Sequence, residues 1–249
     1  MRFDLITLFP ELFTIFKEAG IMGRAVARDL VELELHDLRA WAGNRWNSVD
    51  DEPYGGGPGM VIQAPPVLAA VREVAEADSR PAHPILLTPR GRVLDQEVVE
   101  ELAGKERLLL VCGRYEGCDE RVNELLELDE ISLGDFVLGG GEVAAMALVE
   151  AVSRLLPGVV GDPESVLADS FAAGLLDHPC YTRPAEVEGL DVPDVLLSGN
   201  HERVRRWRLE RAVELTAARR PDLIRKHWSA YPKEVRELVA RFAPRLVPD

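Results

Sequence analysis

Leu108-Leu-Leu-Val-Cys-Gly-Arg-Tyr-Glu-Gly117 begins as an unbroken apolar run and ends in a loop that contains two glycines. Such a run, bounded by charged residues and glycine, is typical of a strand that is buried on both faces. Other apolar runs lead into similar loops, Thr88-Pro-Arg-Gly-Arg92 and Gly134-Asp-Phe-Val-Leu-Gly-Gly-Gly-Glu142. Any one loop has the composition of an ordinary turn. Because ligands of open parallel sheets bind beyond the carboxyl ends of the strands, the three loops together predict a pocket lined by backbone.

Strand-like and helical segments alternate around these loops. The strand-like runs are Phe3–Phe9, Ile85–Thr88, Leu108–Cys112 and Ile131–Leu138, and the helical patterns are Val67–Ala77, Gln96–Ala103, Arg121–Leu126 and Glu142 to about Leu156. This alternation predicts an α/β fold with a covered parallel sheet. Pro157 and Gly158 end the last helix, and Gly161-Asp-Pro-Glu-Ser165 predicts a linker. The pattern after it is all-helical, most clearly in Arg203–Ala218 and Lys233–Phe242.

The composition indicates a globular chain with an acidic body and a basic tail. The 249 residues carry a formal net charge of −14, but residues 200–249 hold 13 basic and 7 acidic side chains. Contact with a polyanion requires such a local excess of positive charge, although a solvated helix face has the same composition. The three cysteines lack the spacing of a redox or zinc motif, so we expect reduced thiols.

Neither a signal peptide nor a membrane span is predicted. Asp4, Pro10 and Glu11 interrupt the N-terminal apolar run before a signal-peptide core could form. The longest charge-free run, Pro53–Val71, contains four prolines and four glycines, which a membrane helix could not accommodate. We therefore expect a cytoplasmic protein.

The residues alone leave functions of different classes open. Gly139-Gly-Gly-Glu-Val-Ala144 matches the G-x-G-x-x-A pattern of dinucleotide sites, which makes an NAD-dependent oxidoreductase one alternative. However, Asp162, the acidic residue such a site would need, falls in the linker. A noncatalytic RNA-binding module that uses the basic tail is another alternative. Since the five histidines never pair at metal-ligand spacing and no Ser/His/Asp set is visible, we predict neither a metal site nor acyl transfer.

Several longer motifs, in a fixed order, carry a family resemblance. They are Asp50-Asp-Glu-Pro-Tyr-Gly-Gly-Gly-Pro-Gly-Met60, Leu110–Gly117, Gly134–Glu142, Tyr181-Thr-Arg-Pro184, Leu196-Leu-Ser-Gly-Asn-His201 and Arg205-Arg-Trp-Arg208. From Phe3 to about Arg220 the chain closely resembles the bacterial tRNA (guanine-N1)-methyltransferases. It departs from them at Asp177-His-Pro-Cys180, where the family has cysteine and histidine in the opposite order.

The resemblance implies a fold and an assembly that periodicity does not predict. Residues 1–160 would form a SPOUT-type α/β domain for cofactor binding and dimerisation, with a deep C-terminal trefoil knot built from the three glycine loops. Residues 161–169 would be a flexible linker, and residues 170–249 a small all-helical tRNA-binding domain. The family also implies an obligate homodimer with active sites at the interface. Its reaction transfers the methyl group of S-adenosylmethionine to N1 of the guanosine 3′-adjacent to the anticodon, at tRNA position 37.

By the same resemblance, the residues that bind S-adenosylmethionine lie in the glycine loops and at the strand ends before them. They are Leu87, Pro89, Gly113, Tyr115, Gly117, Ile131, Leu133, Gly134, Leu138, Gly140 and Gly141. Glycines in such loops let the backbone approach a ligand closely. We therefore expect a valine at Gly141 to lower cofactor affinity with little loss of stability.

The resemblance also implies which residues act on the tRNA. Asp169 would be the general base that removes the N1 proton, and Arg154 would stabilise negative charge on O6. As alternatives, Asp169 could N-cap a helix and Arg154 could be a cation of a last helical turn. Asp50 and Gly59 would lie near the guanine, and Glu116 would contact the base or a magnesium ion that assists the reaction. The expected contacts with the tRNA backbone or anticodon stem are Arg183, Ser198, Asn200, His201, Arg205 and Arg208.

Overall fold

The computed structural model describes residues 1–161 and 169–248. The chain divides into two compact units, Met1–Pro163 and Glu164–Asp249. The linker predicted at 161–169, including Asp162, lies almost wholly outside the described residues. Within the described ranges, no helix has the length and apolar character needed to cross a membrane.

The first unit is built on a five-stranded sheet with the strand order β2-β1-β6-β5-β7. Its strands are β1 (Arg2–Thr7), β2 (Glu32–Asp37), β5 (Ala82–Val93), β6 (Arg107–Cys112) and β7 (Asp129–Ser132), and a separate ribbon pairs β3 (Asp50–Asp51) with β4 (Val61–Ile62). Every pair within the main sheet is parallel, which confirms the predicted α/β class. The carboxyl ends of all five strands therefore lie at one edge.

Helices cover both faces of this sheet. They are α1 (Thr14–Glu18), α2 (Gly20–Ala27), α3 (Ala64–Glu76), α4 (Gln96–Ala103), α5 (Arg121–Leu126) and α6 (Glu142–Arg154), with 3-10 turns at Pro10–Phe13 and Leu38–Trp41. Because alternate strand residues point to opposite faces, Leu108 and Leu110 pack with α2, α4 and α6, while Leu109 and Val111 pack with α3. The prediction of a buried strand at Leu108–Cys112 is thus confirmed, since β6 is buried on both faces.

The strand predicted over Ile131–Leu138 is wrong in its second half. Strand β7 ends at Ser132, and the chain continues as an irregular loop in which Phe136 and Val137 are exposed. Gly134 adopts a φ of +155°, a conformation that favours glycine and interrupts a strand. The apolar character of this segment therefore does not come from burial in the sheet.

The second unit is predominantly helical and has its own core. Its helices are α7 (Asp194–Leu197), α8 (His201–Arg219), α9 (Pro221–His227) and α10 (Lys233–Phe242), with 3-10 turns at Trp228–Ala230 and Pro244–Leu246. Val213 of α8, Ile224 of α9 and Val239 of α10 are fully buried in one cluster. A clearly amphipathic pattern is present in α10, whereas α8 buries only a few small or apolar residues, Ala212, Val213, Thr216 and Ala217.

The prediction of an all-helical second unit is wrong in one element. Strand β8 (Glu186–Val187) pairs with β9 (Leu190–Asp191) in a short antiparallel hairpin. The connection, Glu188-Gly189, has positive φ at both residues, as a tight two-residue hairpin turn requires. The hairpin is exposed, so its sequence lacks the apolar alternation that predicts a strand.

A buried ion pair joins β1 to β6 at the edge of the sheet opposite the glycine loops. Asp4 and Arg107 are both fully buried, and Arg107 Nε lies 2.8 Å from Asp4 Oδ2. The other carboxylate oxygen accepts from Arg2 at 2.8 Å and lies 2.8 Å from His36 Nε2. Burial alone would raise the pKa of Asp4, but the hydrogen bonds from His36, Arg2 and Arg107 outweigh it and hold that pKa well below its usual range.

We expect Asp4→Asn to destabilise the fold by about 3–5 kcal/mol, because it leaves the buried Arg107 charge without its counter-ion. Because the pKa of Asp4 is lowered in the folded state, its contribution to the free energy of unfolding is fully present above its unfolded pKa of about 3.9. That contribution is lost as the pH falls from this value through the lower pKa of the folded state. Urea unfolding at pH 7 and at acidic pH measures both effects. The exposed Asp135→Asn is the matched control. Equal unfolding midpoints for the two variants at pH 7 would contradict this role of Asp4.

Candidate active site

A cleft of about 380 Å³ opens beside the middle of β5 and the carboxyl ends of β6 and β7. Its walls are Leu86–Arg90, Ile131 and Ser132 at the end of β7, the glycine loops after β6 and β7, and Ala144 in the first turn of α6. The segment Thr88–Arg92, predicted as a loop after a strand, is an irregular stretch within β5, where the pairing with β7 shifts between Leu87 and Arg92. The volume falls within the range of small-molecule sites. The loops that the sequence predicted to converge therefore line one concave site.

Ten of the eleven residues expected to bind the cofactor line this cleft. They are Leu87, Pro89, Gly113, Tyr115, Gly117, Ile131, Leu133, Leu138, Gly140 and Gly141. The exception is Gly134, which does not line the cleft. A Cβ there would lie 2.7 Å from the Phe136 ring, so this glycine serves the turn. Other lining residues, among them Arg114 and Val137, were not predicted.

Backbone contacts hold the second and third glycine loops together. The Gly141 amide donates to the Gly113 carbonyl at 2.8 Å, and Arg114 and Gly140 form an isolated antiparallel bridge. A Cβ on Gly141 would lie 2.8 Å from Cα of Cys112 and 3.1 Å from the nitrogen of Gly113. The expectation that a valine at Gly141 spares stability is therefore wrong, because its bulk would meet backbone.

Glu142, the first residue of α6, brings a buried carboxylate beside the cleft, with only 1% of its surface exposed. Its Oε1 accepts a hydrogen bond from Thr7 Oγ1 at 2.9 Å, and its Oε2 lies 2.9 Å from Arg114 Nε. The Arg114 guanidinium also donates to the Gly139 carbonyl at 3.2 Å and covers the Phe9 ring at 4.4 Å. Arg114 therefore joins the two loops through side-chain contacts as well. The available sequence signal was an acidic residue at a helix N-terminus, where the helix dipole favours negative charge.

The two cysteines at the cleft have the environment of structural thiols. Cys118 lines the cleft, and burial raises its pKa to about 12. Cys112 is fully buried at the end of β6, where burial and the nearby Glu142 raise the thiol pKa well above its usual range. Since the thiolate is the nucleophile, neither cysteine suits covalent catalysis.

The loop between β3 and β4 is joined to the wall of the cleft. The Ile62 amide donates to the Gly117 carbonyl at 2.9 Å. Gly59 has a φ of +86°, and a Cβ there would lie 2.5 Å from Glu116 Oε1, so only glycine fits against this carboxylate. Asp50 pairs with Ile62 in the ribbon. The structure thus brings Gly59 and Glu116 together at the cleft.

The two predicted catalytic residues belong to different units. Arg154 is the last residue of α6, where a cation also suits the helix dipole. Asp169 begins the described part of the second unit, and its carbonyl accepts from the Ala172 amide at 3.3 Å. The interpretation of Asp169 as a helix N-cap is wrong, since the following residues form a turn in which Phe171 has a φ of +78°.

Two of the predicted tRNA contacts line a second cleft, which lies within the second unit. This cleft, of about 520 Å³, includes Arg183 and Arg208 together with Tyr181 and Trp207. The Trp207 ring is half-buried and lies 6.2 Å from the Tyr181 ring. Two arginines beside aromatic rings are compatible with an RNA-facing surface.

The remaining predicted tRNA contacts lie at or near the start of α8. Ser198 and His201 are exposed there. The Asn200 side chain N-caps the helix by accepting from the Arg203 amide at 3.0 Å. Arg205 forms an exposed ion pair with Glu234 at 3.1 Å. Asn200 therefore has a structural role that the sequence analysis did not assign.

One side-chain cluster brings possible metal ligands together where no metal site was predicted. Asp177, His178 and Cys180 each offer a ligand atom, and these atoms lie within 4.8 Å of one another. A structural zinc site takes four protein ligands, whereas this loop supplies three and Cys180 is exposed. We therefore assign no metal to it.

The glycines of the third loop are expected to differ in what they tolerate. Gly141→Val should cost about 2 kcal/mol or more and lower Tm by roughly 4–8 °C, because the side chain collides with fixed backbone. Gly139→Val should leave Tm near that of the parent, since a Cβ there meets nothing within 4 Å. Thermal unfolding of both variants, with Gly43→Val as a control outside the cleft, measures this difference. A lower Tm for Gly139→Val than for Gly141→Val would contradict the geometry.

Comparisons with known proteins assign the chain to a family. The family model described as tRNA (Guanine-1)-methyltransferase TrmD matches residues 1–226. A tRNA (guanine-N(1)-)-methyltransferase of Rhodopirellula baltica is 50% identical over 241 residues, covering 96% of this chain and 100% of the relative. Relatives of the same name are 53% identical over 244 residues in Geotalea uraniireducens, covering 98% of each chain, and 54% identical over 226 residues in Geobacter sulfurreducens, covering 91% of this chain and 92% of the relative. The chain therefore belongs to the tRNA (guanine-1)-methyltransferase family.

Proposed function

We propose that this chain transfers the methyl group of S-adenosylmethionine to N1 of the guanosine at tRNA position 37, next to the anticodon on its 3′ side. The observation that carries the proposal is the cleft beside β5 and the carboxyl ends of β6 and β7, which ten of the eleven expected donor-binding residues line. Family membership supports the class of reaction. The size and backbone lining of the cleft support the binding of a nucleoside-containing donor.

The residues of the cleft fit such a donor in shape and chemistry. Leu87, Ile131 and Leu138 present apolar side chains to a planar base, and Pro89 lies in the loop beside them. Glycines such as Gly113 let backbone groups reach polar atoms of the base and the ribose. When bound, S-adenosylmethionine would supply the electrophile, which is the methyl carbon on its positively charged sulfur, and would leave as the neutral thioether once the carbon–sulfur bond is broken.

The acceptor nitrogen requires a base and a cation. Guanine N1 carries a proton at neutral pH, so its lone pair attacks only as that proton leaves and negative charge grows on O6. We assign proton removal to the Asp169 carboxylate, which is neutralised in the step, and stabilisation of O6 to the Arg154 guanidinium. In the proposed assembly, Asp169 acts on the donor site of the partner subunit when tRNA is bound.

Other residues are proposed to hold the tRNA around this reaction. Glu116 and Gly59 meet at the cleft, which supports a role for Glu116 in contacting the target guanine or a magnesium ion bound with it. Asp50 lies in the ribbon joined to the same wall. Residues 200–249 carry 13 basic and 7 acidic side chains, which favour contact with tRNA phosphates. We assign that contact to Arg183, Ser198, Asn200, His201, Arg205 and Arg208.

The proposed function includes the fold and assembly of the SPOUT methyltransferases. We propose that residues 1–160 contain a trefoil knot, and that a linker at 161–169 leads to a tRNA-binding domain at 170–249. The knot is supported by membership of the family. A homodimer with active sites at its interface is supported by Val137 and Val143, which are 84% and 58% exposed beside the cleft. A tRNA substrate implies action in the cytoplasm.

Methyl transfer to defined tRNA tests the proposal. With tritiated S-adenosylmethionine, unmodified tRNA should gain label, and tRNA lacking guanosine at the target position should gain none. An NAD-dependent oxidoreductase would label neither RNA and would instead reduce or oxidise the nicotinamide. A noncatalytic RNA-binding module would bind tRNA without labelling it. Labelling of both RNAs to the same extent would exclude the proposed position.

Asp169→Asn should slow single-turnover methylation by roughly 10²–10⁴-fold, because it removes the proton acceptor while keeping the size of the side chain. Affinity for S-adenosylmethionine, measured by calorimetry, should stay near that of the parent. Asp191→Asn, at an exposed position of β9 in the same unit, is the matched control and should keep the parent rate. A near-parent rate for Asp169→Asn would remove Asp169 from the mechanism.

A further inference from the structure

Two large aromatic side chains of the first unit point into solvent on either side of strand β3. Trp46 is 74% exposed and Tyr54 is fully exposed. Burial of a single aromatic side chain removes some 150–250 Å² from water, so these two rings offer a large contact area to a ligand that covers them. We call Trp46, Tyr54 and the neighbouring Arg45 the aromatic edge.

The loop that carries Trp46 is held in place by its own hydrogen bonds. Asn44 Oδ1 accepts from the Trp46 amide at 3.0 Å and from the Ser48 amide at 3.1 Å, and Asn44 Nδ2 donates to the Ser48 carbonyl at 2.6 Å. The Arg45 guanidinium lies over the Trp46 ring at 4.3 Å. The ring is therefore supported on one face and remains available on the other.

Hydrogen bonds connect the aromatic edge to the candidate active site. The Gln63 amide donates to the Val49 carbonyl at 2.8 Å, directly after the Trp46 loop. Strand β4 then continues to the wall of the cleft, where the Ile62 amide donates to Gly117 at 2.9 Å and the Asp119 amide donates back to Ile62 at 2.9 Å. The aromatic edge and the cleft are thus parts of one connected surface of the first unit.

The charge of this surface decides which part of an RNA it can attract. Asp50, Asp51 and Glu52 lie between Trp46 and Tyr54, and residues 1–163 hold 15 basic and 29 acidic side chains, a net charge of −14. Carboxylates repel phosphates, so binding here has to come from the bases. Unpaired bases stack on aromatic rings and on guanidinium planes, and this contact tolerates a nearby negative charge.

We propose that Trp46 and Tyr54 are stacking platforms for unpaired bases of the substrate RNA that neighbour the target guanine. The inference rests on the proposed function for the identity of the RNA. It adds a base-binding surface on the acidic unit to the phosphate contacts assigned to the basic residues. Trp46 takes a base on the face opposite Arg45, and Tyr54 takes one at the tip of the loop between β3 and β4.

Alanine and phenylalanine variants of Trp46 test the stacking role in the full-length chain. Trp46→Ala should weaken the binding of a tRNA anticodon stem-loop by roughly 5- to 150-fold, the usual loss when one stacked base is released, and Tyr54→Ala should do the same. Trp46→Phe should keep most of the affinity. The dependence of binding on salt concentration should be unchanged in Trp46→Ala, because no phosphate contact is lost, whereas Arg208→Ala should reduce it.

A stem-loop with one abasic site beside the target identifies the stacked base. If Trp46 stacks on that base, Trp46→Ala should weaken binding of the intact stem-loop, and the abasic site should weaken binding to the parent protein. The two changes together should weaken binding no further than either one alone.

The affinity for S-adenosylmethionine and the Tm of both variants should stay at parent values, because both rings are exposed. Parent-like binding and methylation by Trp46→Ala and Tyr54→Ala would overturn the inference while the proposed function stands. If the parent binds the stem-loop but never methylates unmodified tRNA, the proposed function fails, and the abasic comparison still decides the stacking. No binding of either RNA by the parent would overturn both.

Discussion

The candidate active site depends on the close approach of two loops, where the Gly141 amide meets the Gly113 carbonyl at 2.8 Å. This contact is possible only because residue 141 lacks a side chain, since a Cβ would press on the Cα of Cys112. The buried Glu142 holds Arg114 beside it and so ties the same two loops through side chains. Strand order in the sheet brings the loops side by side, and the glycines let them touch.

The two units differ in charge in a way that suits a reaction between a small donor and a large polyanion. The acidic first unit contains a cleft whose lining is largely backbone and apolar surface, so its binding does not depend on positive charge. The positive charge is concentrated in the residues after 199, where phosphate contacts need it. If the first unit contacts bases and not phosphates, its negative charge repels the phosphate backbone of the tRNA. That repulsion favours binding of the unpaired loop that contains the target guanosine.

The sheet and the cleft could be predicted because their signals are local. Strand β6 is buried on both faces, and two of the glycine loops follow β6 and β7 directly along the chain, whereas Thr88–Arg92 is an irregular stretch within β5. Strand β2 was missed although its signal is present, since Glu32 and Glu34 alternate with leucines as in a half-buried edge strand. The Arg114–Glu142 pair also escaped, since its partners become neighbours only through the strand order of the sheet. The exposed apolar loop after Ser132 was taken for a strand because periodicity cannot distinguish burial in a core from burial against a partner or ligand.

The proposed function depends on binding of the methyl donor by the three glycine loops of the first unit. Hydrogen–deuterium exchange of the full-length chain, with and without saturating S-adenosylmethionine, tests it most directly. We expect slower exchange at the amides of residues 88–92, 113–117 and 133–141, with no change along α8. Protection confined to the second unit, or an unchanged exchange rate in all three loops while calorimetry shows saturation, would contradict it.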